Sequence, residues 1–227
     1  MPESRNHSPS ADHFQVTERT RLRRANKRAV TERDEVYRVL DAGLECHVGY
    51  VIDGQPYVTP TAYVRLGDRV YWHGSSASRM LKQLKKGVSV CFTVSFLDGV
   101  VFARSGFHSS FNYRSVMAYG TAELVKDEAE KTAVLESFVE RITPGRWADL
   151  REVTAQELKA TSLLSLKLEE VACKIREGGP IDDEEDYELD IWAGVVPITR
   201  EIGQPEPDSQ LKEGVTTPEY VRKIRLG

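Results

Sequence analysis

Two stretches of this chain gather hydrogen-bond donors at spacings that suit an anion. Residues 73–79 read His-Gly-Ser-Ser-Ala-Ser-Arg. An apolar strand-like run ends there, small residues turn the chain, and a helical pattern begins with Arg79 in its first turn. A helix start offers free N–H groups and the positive end of the helix dipole. The hydroxyls of Ser75 and Ser78 and the Arg79 guanidinium add donors that fit a phosphate. The plain structural reading is a serine-rich helix cap. Residues 100–120 (VVFARSGFHSSFNYRSVMAYG) form the second stretch. Apolar ends flank Arg104, His108, Ser109, Ser110, Asn112, Tyr113, Arg114 and Ser115, as in two strands that deliver a binding loop. A polar hairpin on a barrel rim is the alternative. Along an alternating strand Tyr113 and Ser115 face away from Asn112 and Arg114, so a single ligand meets both faces only across a bend or a dimer. Trp192, in the apolar run IWAGVVPI, either stacks on a flat cofactor or packs on its own or a partner's core.

Other chemistry lacks its residues. The chain has no GxGxxG, P-loop, GxSxG or HExxH motif. His47, His73 and His108 are dispersed, and His7 and His13 fall in a polar tail. No triad order and no metal-ligand spacing stand out, so the expected metal is none. The acidic run 182–186 reads as solvated loop. Cys46, Cys91 and Cys173 lie far apart in apolar runs, which reads as buried reduced thiols in a cytoplasmic protein. A net charge of −4 gives no general reason to bind nucleic acid. The basic run 19–28 (RTRLRRANKR) is a local exception. It is a nucleic-acid or anionic-surface arm, a solvated helix face, or a clamp on a partner's acidic surface. No long apolar segment suggests a secretory signal or a membrane span.

The elements that must position these residues alternate short strands with a few helices. A helix over 32–42 precedes strands 44–52, 56–66 and 69–73, joined by tight turns at Asp53-Gly54 and Gly67-Asp68. Pro60 inside the second strand makes it an edge strand or marks a bulge. A helix over 77–86 follows. The pattern then predicts strands 88–96 and 100–107 turned at Asp98-Gly99, a long strand 112–125, and a helix 126–141. A capped helix 154–160 (Thr154 with Glu157) and a closing strand 163–175 complete it. Hairpins outnumber crossovers, so the fold class is mainly β: an antiparallel six-stranded split barrel with outer helices. With 227 residues, one core plus extensions is expected: a tail and basic arm at 1–30, a domain at 31–200 and a tail at 201–227.

In order, PYVTPTAYV, RVYWHGSSASRMLKQL, FNYRSVMAYGTAELV and WAGVVPI resemble the pyridoxamine 5′-phosphate oxidase-like family of FMN-binding split barrels, in its Nim-like (nitroimidazole resistance) flavin-nucleotide-binding branch. The resemblance spans about 32–198. It implies a homodimer with FMN between the subunits. Val58, Thr59, Pro60, Thr61 and Tyr63 would line the flavin ring. Trp72, His73, Ser75, Ser78 and Arg79 would hold the ribityl phosphate end, with Arg114, Ser115 and Trp192 completing the pocket. The Arg-x-His substrate motif of true pyridoxamine phosphate oxidases is missing after Pro197. The function implied is therefore an FMN-dependent oxidoreductase acting on an unknown small molecule, with nitroreductase-like activity as one form of it and His73 as a candidate catalytic residue. The alternatives are a non-catalytic flavin-binding or storage protein, and a heme- or partner-binding barrel that has lost flavin.

Overall fold

The computed structural model describes residues 12–224. The chain forms two compact units. One takes 12–40, Cys91–Gly120 and Leu168–Ile198, and the other Asp41–Val90, Thr121–Lys167 and 199–224. The architecture is mainly antiparallel β with few helices, as expected. The strand number is ten among the described residues, not six, because several short strands add to the longer ones.

In the second unit the strand order is β2 (Glu45–Ile52), β3 (Gln55–Leu66), β4 (Arg69–Ser75), β8 (Thr161–Lys167) and β7 (Glu123–Leu124). Asp53 and Gly54 both adopt positive φ (50° and 79°), the backbone a tight two-residue hairpin demands. β2 pairs along β3 from Glu45↔Ala62 to Ile52↔Gln55. β4 pairs with β3 only over Tyr63–Leu66. Tyr63 N donates to Leu44 O, so odd-numbered N–H groups of β3 point toward β2. Pro60 therefore turns its missing N–H away from β2, on a stretch that β4 does not reach. The edge placement predicted from this proline is what the structure shows.

Helices close the same unit. Asp127 caps α3 (Glu128–Ile142), accepting from Glu130 N at 2.7 Å. The predicted Thr154–Glu157 capping box is present at α4 (Ala155–Ala160). α3 brings Val134 and Phe138 onto Val64, Tyr71, Val125 and Leu163. Trp72 and Tyr63 are fully buried, each contributing about 1.5–3 kcal/mol of apolar burial. α2 is shorter than predicted, Arg79–Leu84 rather than 77–86. Ser75 and its neighbours bond to one another in a turn instead, and Gly87, at φ 83°, ends the segment.

In the first unit the order is β1 (Ala29–Val30), β9 (Glu170–Arg176), β6 (Ser110–Thr121) and β5 (Ser89–Phe102), and β10 (Gly194–Pro197) also pairs with β5. Two predictions fail here. Asp98-Gly99 is no turn: β5 runs straight through it. The Asp98 carboxylate is held by Arg114, its carbonyl accepts from Ile198 N at 3.0 Å, and Gly99 pairs with Pro197. A Cβ on Gly99 would sit 3.1 Å from Val196 O, so this glycine serves close strand approach. The predicted strand 163–175 is two strands, β8 and β9. Part of the predicted tail is also ordered. Phe14 is buried, its N–H donates to Thr31 O at 2.8 Å, and the Arg33 guanidinium lies 4.2 Å over its ring. Residues 1–11 of that tail, with His7, lie outside the described residues.

Candidate functional site

The second unit holds one candidate site, where β4 ends and α2 begins. Gly74 lets β4 and α2 approach: a Cβ there would meet Leu81 Cδ1 at 3.1 Å. Ser78 N donates to Ser75 O at 2.9 Å, and Ser75 Oγ accepts from Ala77 N at 3.2 Å. Ser78 stands at the cap position, but its side chain makes no cap hydrogen bond. Arg79 is exposed and has no carboxylate partner among the described residues; its guanidinium carbon lies 5.6 Å from the centre of the Tyr57 ring. Tyr57 stacks on Tyr50 (5.6 Å, 13°), and the Tyr50 hydroxyl shares a hydrogen bond with Thr59 Oγ1 at 3.1 Å. Arg79 thus meets, through Tyr57, the strand that carries Val58, Thr59, Pro60 and Thr61. Val58 is 68% exposed and Pro60 is exposed, whereas Thr59 and Thr61 are half-buried.

The remaining predicted residues of this unit sit deeper. Tyr63 and Trp72 are core, and burial pushes the Tyr63 phenol above its usual range. His73 is half-buried with its ring edge on Phe138 at 4.5 Å. Burial lowers its pKa below the usual 6.5, because desolvation disfavours the imidazolium. Its Nδ1 is buried with no hydrogen-bond partner among the described residues.

The first unit holds the other predicted residues. Arg114 is committed: Nε and Nη2 donate to the two oxygens of Asp98 at 3.0 and 2.8 Å, and the guanidinium lies 4.9 Å over Phe96. The Asp98 hydrogen bonds raise the Arg114 pKa. Ser115 is half-buried opposite Lys174. Arg104 is committed too, through its backbone N–H and Nη1 to Asp182, whose side chain is fully buried. His108 Nε2 lies 3.2 Å from Asp183 Oδ2. Trp192 is 67% exposed and packs at 5.9 Å on Phe102, itself partly exposed. Cys46 and Cys173 are free, buried thiols; burial pushes Cys173 up to about 12, so neither is a nucleophile at neutral pH. No group of three or more His, Cys, Asp or Glu able to hold a metal ion occurs among the described residues. No described helix is long and apolar enough to cross a membrane.

Tyr50 and Tyr57 escaped the sequence reading of this site. A two-residue turn at Asp53-Gly54 sets 50 opposite 57, so the hairpin register itself would have paired them.

A split barrel with this strand order has relatives. The pyridoxamine 5′-phosphate oxidase family profile matches residues 32–175, and the chain belongs to that family. Among solved structures, it is similar to the flavocytochrome Anf3 from Azotobacter vinelandii, with 47% identity over 93% of this chain and 98% of that one and a TM-score of 0.89. It is similar to an FAD and heme binding protein from Mycobacterium smegmatis (38% identity, 87% and 97% covered, TM-score 0.83). A protein from Bacteroides thetaiotaomicron assigned to 5-nitroimidazole antibiotic resistance shares the fold at 20% identity (65% and 86% covered, TM-score 0.55). No curated protein matches.

Proposed function

We propose that the protein binds a flavin nucleotide and a heme as a homodimer and carries out oxidation–reduction on a small molecule. The observation that carries this reading is the near end-to-end likeness to a flavocytochrome at 47% identity. The family resemblance implies FMN; the relative named for FAD and heme favours FAD.

The residues present fit such groups. Arg79 has no carboxylate partner among the described residues, and the Ser78 hydroxyl makes no cap bond, so both remain available to a flavin phosphate. Val58 and Pro60 offer apolar surface to a flat ring. His73 is a candidate ligand for iron, because burial lowers its pKa and so favours the neutral imidazole that metals take. Exposed Phe102, Phe107 and Trp192 suit a partner subunit or a bound ring. When bound, flavin supplies hydride and electron transfer and heme supplies one-electron transfer. The chain's own part is then to hold the phosphate with Arg79 and Ser78, to keep the ring dry against β3, and to keep His73 unprotonated.

The absorption spectrum of protein produced with flavin and heme precursors tests this. Flavin bands with a Soret band are expected, with the released flavin identified chromatographically as FAD or FMN. A protein that takes up neither cofactor sinks the reading. One that binds flavin but, once reduced, passes electrons to no acceptor (oxygen, nitro compounds, heme) is the non-catalytic alternative.

A further inference from the structure

The two faces of the β6–β9 pair differ in charge. Register sets Tyr113 opposite Arg176 and Ser115 opposite Lys174, and directly opposed residues point to the same side. Tyr113, Ser115, Lys174 and Arg176 therefore share one face. Arg28 joins them from the turn Asn26–Arg28, just ahead of Ala29, which pairs with Lys174. The Lys174 ammonium lies 5.8 Å from the centre of the Tyr113 ring. Cys173, Ile175 and Arg114 alternate to the opposite face. The carboxylates of Glu32 and Glu35 act on Cys173, and those of Glu35, Glu177 and Asp98 act on Arg114.

The cations on the first face lack such partners. Arg176 is only 8% exposed, yet it donates to neutral acceptors alone: Asn112 Oδ1, Gly178 O at 3.4 Å and Gly179 O at 3.3 Å. None of Arg28, Lys174 and Arg176 forms an ion pair among the described residues. Elsewhere in the same unit Arg19, Arg104 and Arg114 each hold a carboxylate. A buried cation is ordinarily paired, because an unpaired one is costly.

We propose that Arg28, Lys174 and Arg176, gathered about the Tyr113 phenol, form a binding site for a phosphate dianion. Three cations and a hydroxyl match its charge and its several acceptor oxygens. Two shifts agree with an unneutralised cluster. Burial raises the Tyr113 pKa, but hydrogen bonding and charge from Arg28 and Lys174 outweigh it and leave it lowered. Burial, then repulsion from Arg28, lowers that of Arg176. The site also gives the end of the basic 19–28 run a purpose that a solvated arm would not. It rests on the charges of this unit and not on the flavin reading. The phosphate is either free or borne by a bound nucleotide.

Calorimetric titration of the purified protein with inorganic phosphate, against chloride at matched ionic strength, tests it, with flavin content measured in parallel. Arg28→Gln and Lys174→Gln are partly exposed substitutions; melting temperature checks their fold, and Tyr113→Phe gives a gentler variant. Saturable phosphate binding, weakened about tenfold or more in each charge variant while flavin content holds, identifies free phosphate as the ligand. No phosphate binding to flavin-loaded protein, with flavin affinity about tenfold weaker in the variants, identifies the nucleotide's phosphate. Neither binding nor flavin affinity responding to the substitutions overturns the proposal. Phosphate binding without any flavin leaves this site standing and removes the flavin reading.

Discussion

Arg79 and Arg104 are chemically identical and do opposite things. Arg104, in the first unit, is bonded twice to an Asp182 carboxylate buried from water. Arg79, in the second, is exposed and lies over the Tyr57 ring, with no carboxylate partner among the described residues. Arg114 resembles Arg104, with its fork closed on Asp98. The difference separates arginines whose forks are closed on carboxylates of the chain from one that has no carboxylate partner among the described residues. It cannot be read from residue type, because the deciding partners lie 78 and 16 residues away in sequence.

The largest test of that contrast is Asp182→Ala. Removing one partner of a buried, hydrogen-bonded pair should cost about 3–5 kcal/mol of stability. Urea unfolding measures it, and a loss under about 1 kcal/mol would place Arg104 with the surface pairs. Next, Arg79→Ala should weaken flavin-nucleotide binding by about 1.5–3 kcal/mol while leaving the unfolding midpoint where it was. An unchanged affinity would end the phosphate role of Arg79. Arg114→Ala should do the reverse on a smaller scale. Both partners are about one-third exposed, so screening reduces the stability loss to about 1 kcal/mol, with flavin affinity unaltered. A fall in affinity comparable to that of Arg79→Ala would erase the distinction.

The smallest effect concerns pH. The folded state holds His73 below its usual 6.5, so between the two pKa values the unfolded chain binds more protons. Its contribution to stability is therefore complete above about pH 6.5 and is lost as pH falls from there toward the folded pKa. Unfolding midpoints compared at about pH 7.5 and 5.5 should differ less in His73→Phe than in the unaltered chain. An equal difference in both would mean that the ring is not desolvated.

Local chemistry was legible in the sequence. The Thr154–Glu157 box, the Asp53-Gly54 hairpin and the edge placement of Pro60 each depend on neighbours a few residues away or on the residue's own backbone. What failed depended on distant partners. Asp98-Gly99 has turn composition, but Arg114 claims the carboxylate and β10 needs the glycine's missing Cβ. Ser75 closes a turn on Ala77 and Ser78, and Ser76 N donates to Ala160 O, so the helix begins only at Arg79. In the candidate site the sequence singled out the serine–arginine segment from its local composition. It did not reveal that Tyr57 of β3, stacked on Tyr50, meets Arg79, nor that Trp72 spends its indole in the core.

The open margin of β3 has a consequence for self-association. Pro56 and Pro60 stand at even positions, like Val58 and Ala62, whose N–H groups point away from β2. Half of that outward row of donors is therefore absent. A second chain cannot continue the hydrogen-bond ladder past this margin, which protects a long, partly apolar strand from edge-to-edge aggregation. Two copies that associate along β3 must do so through side chains, without extending the sheet.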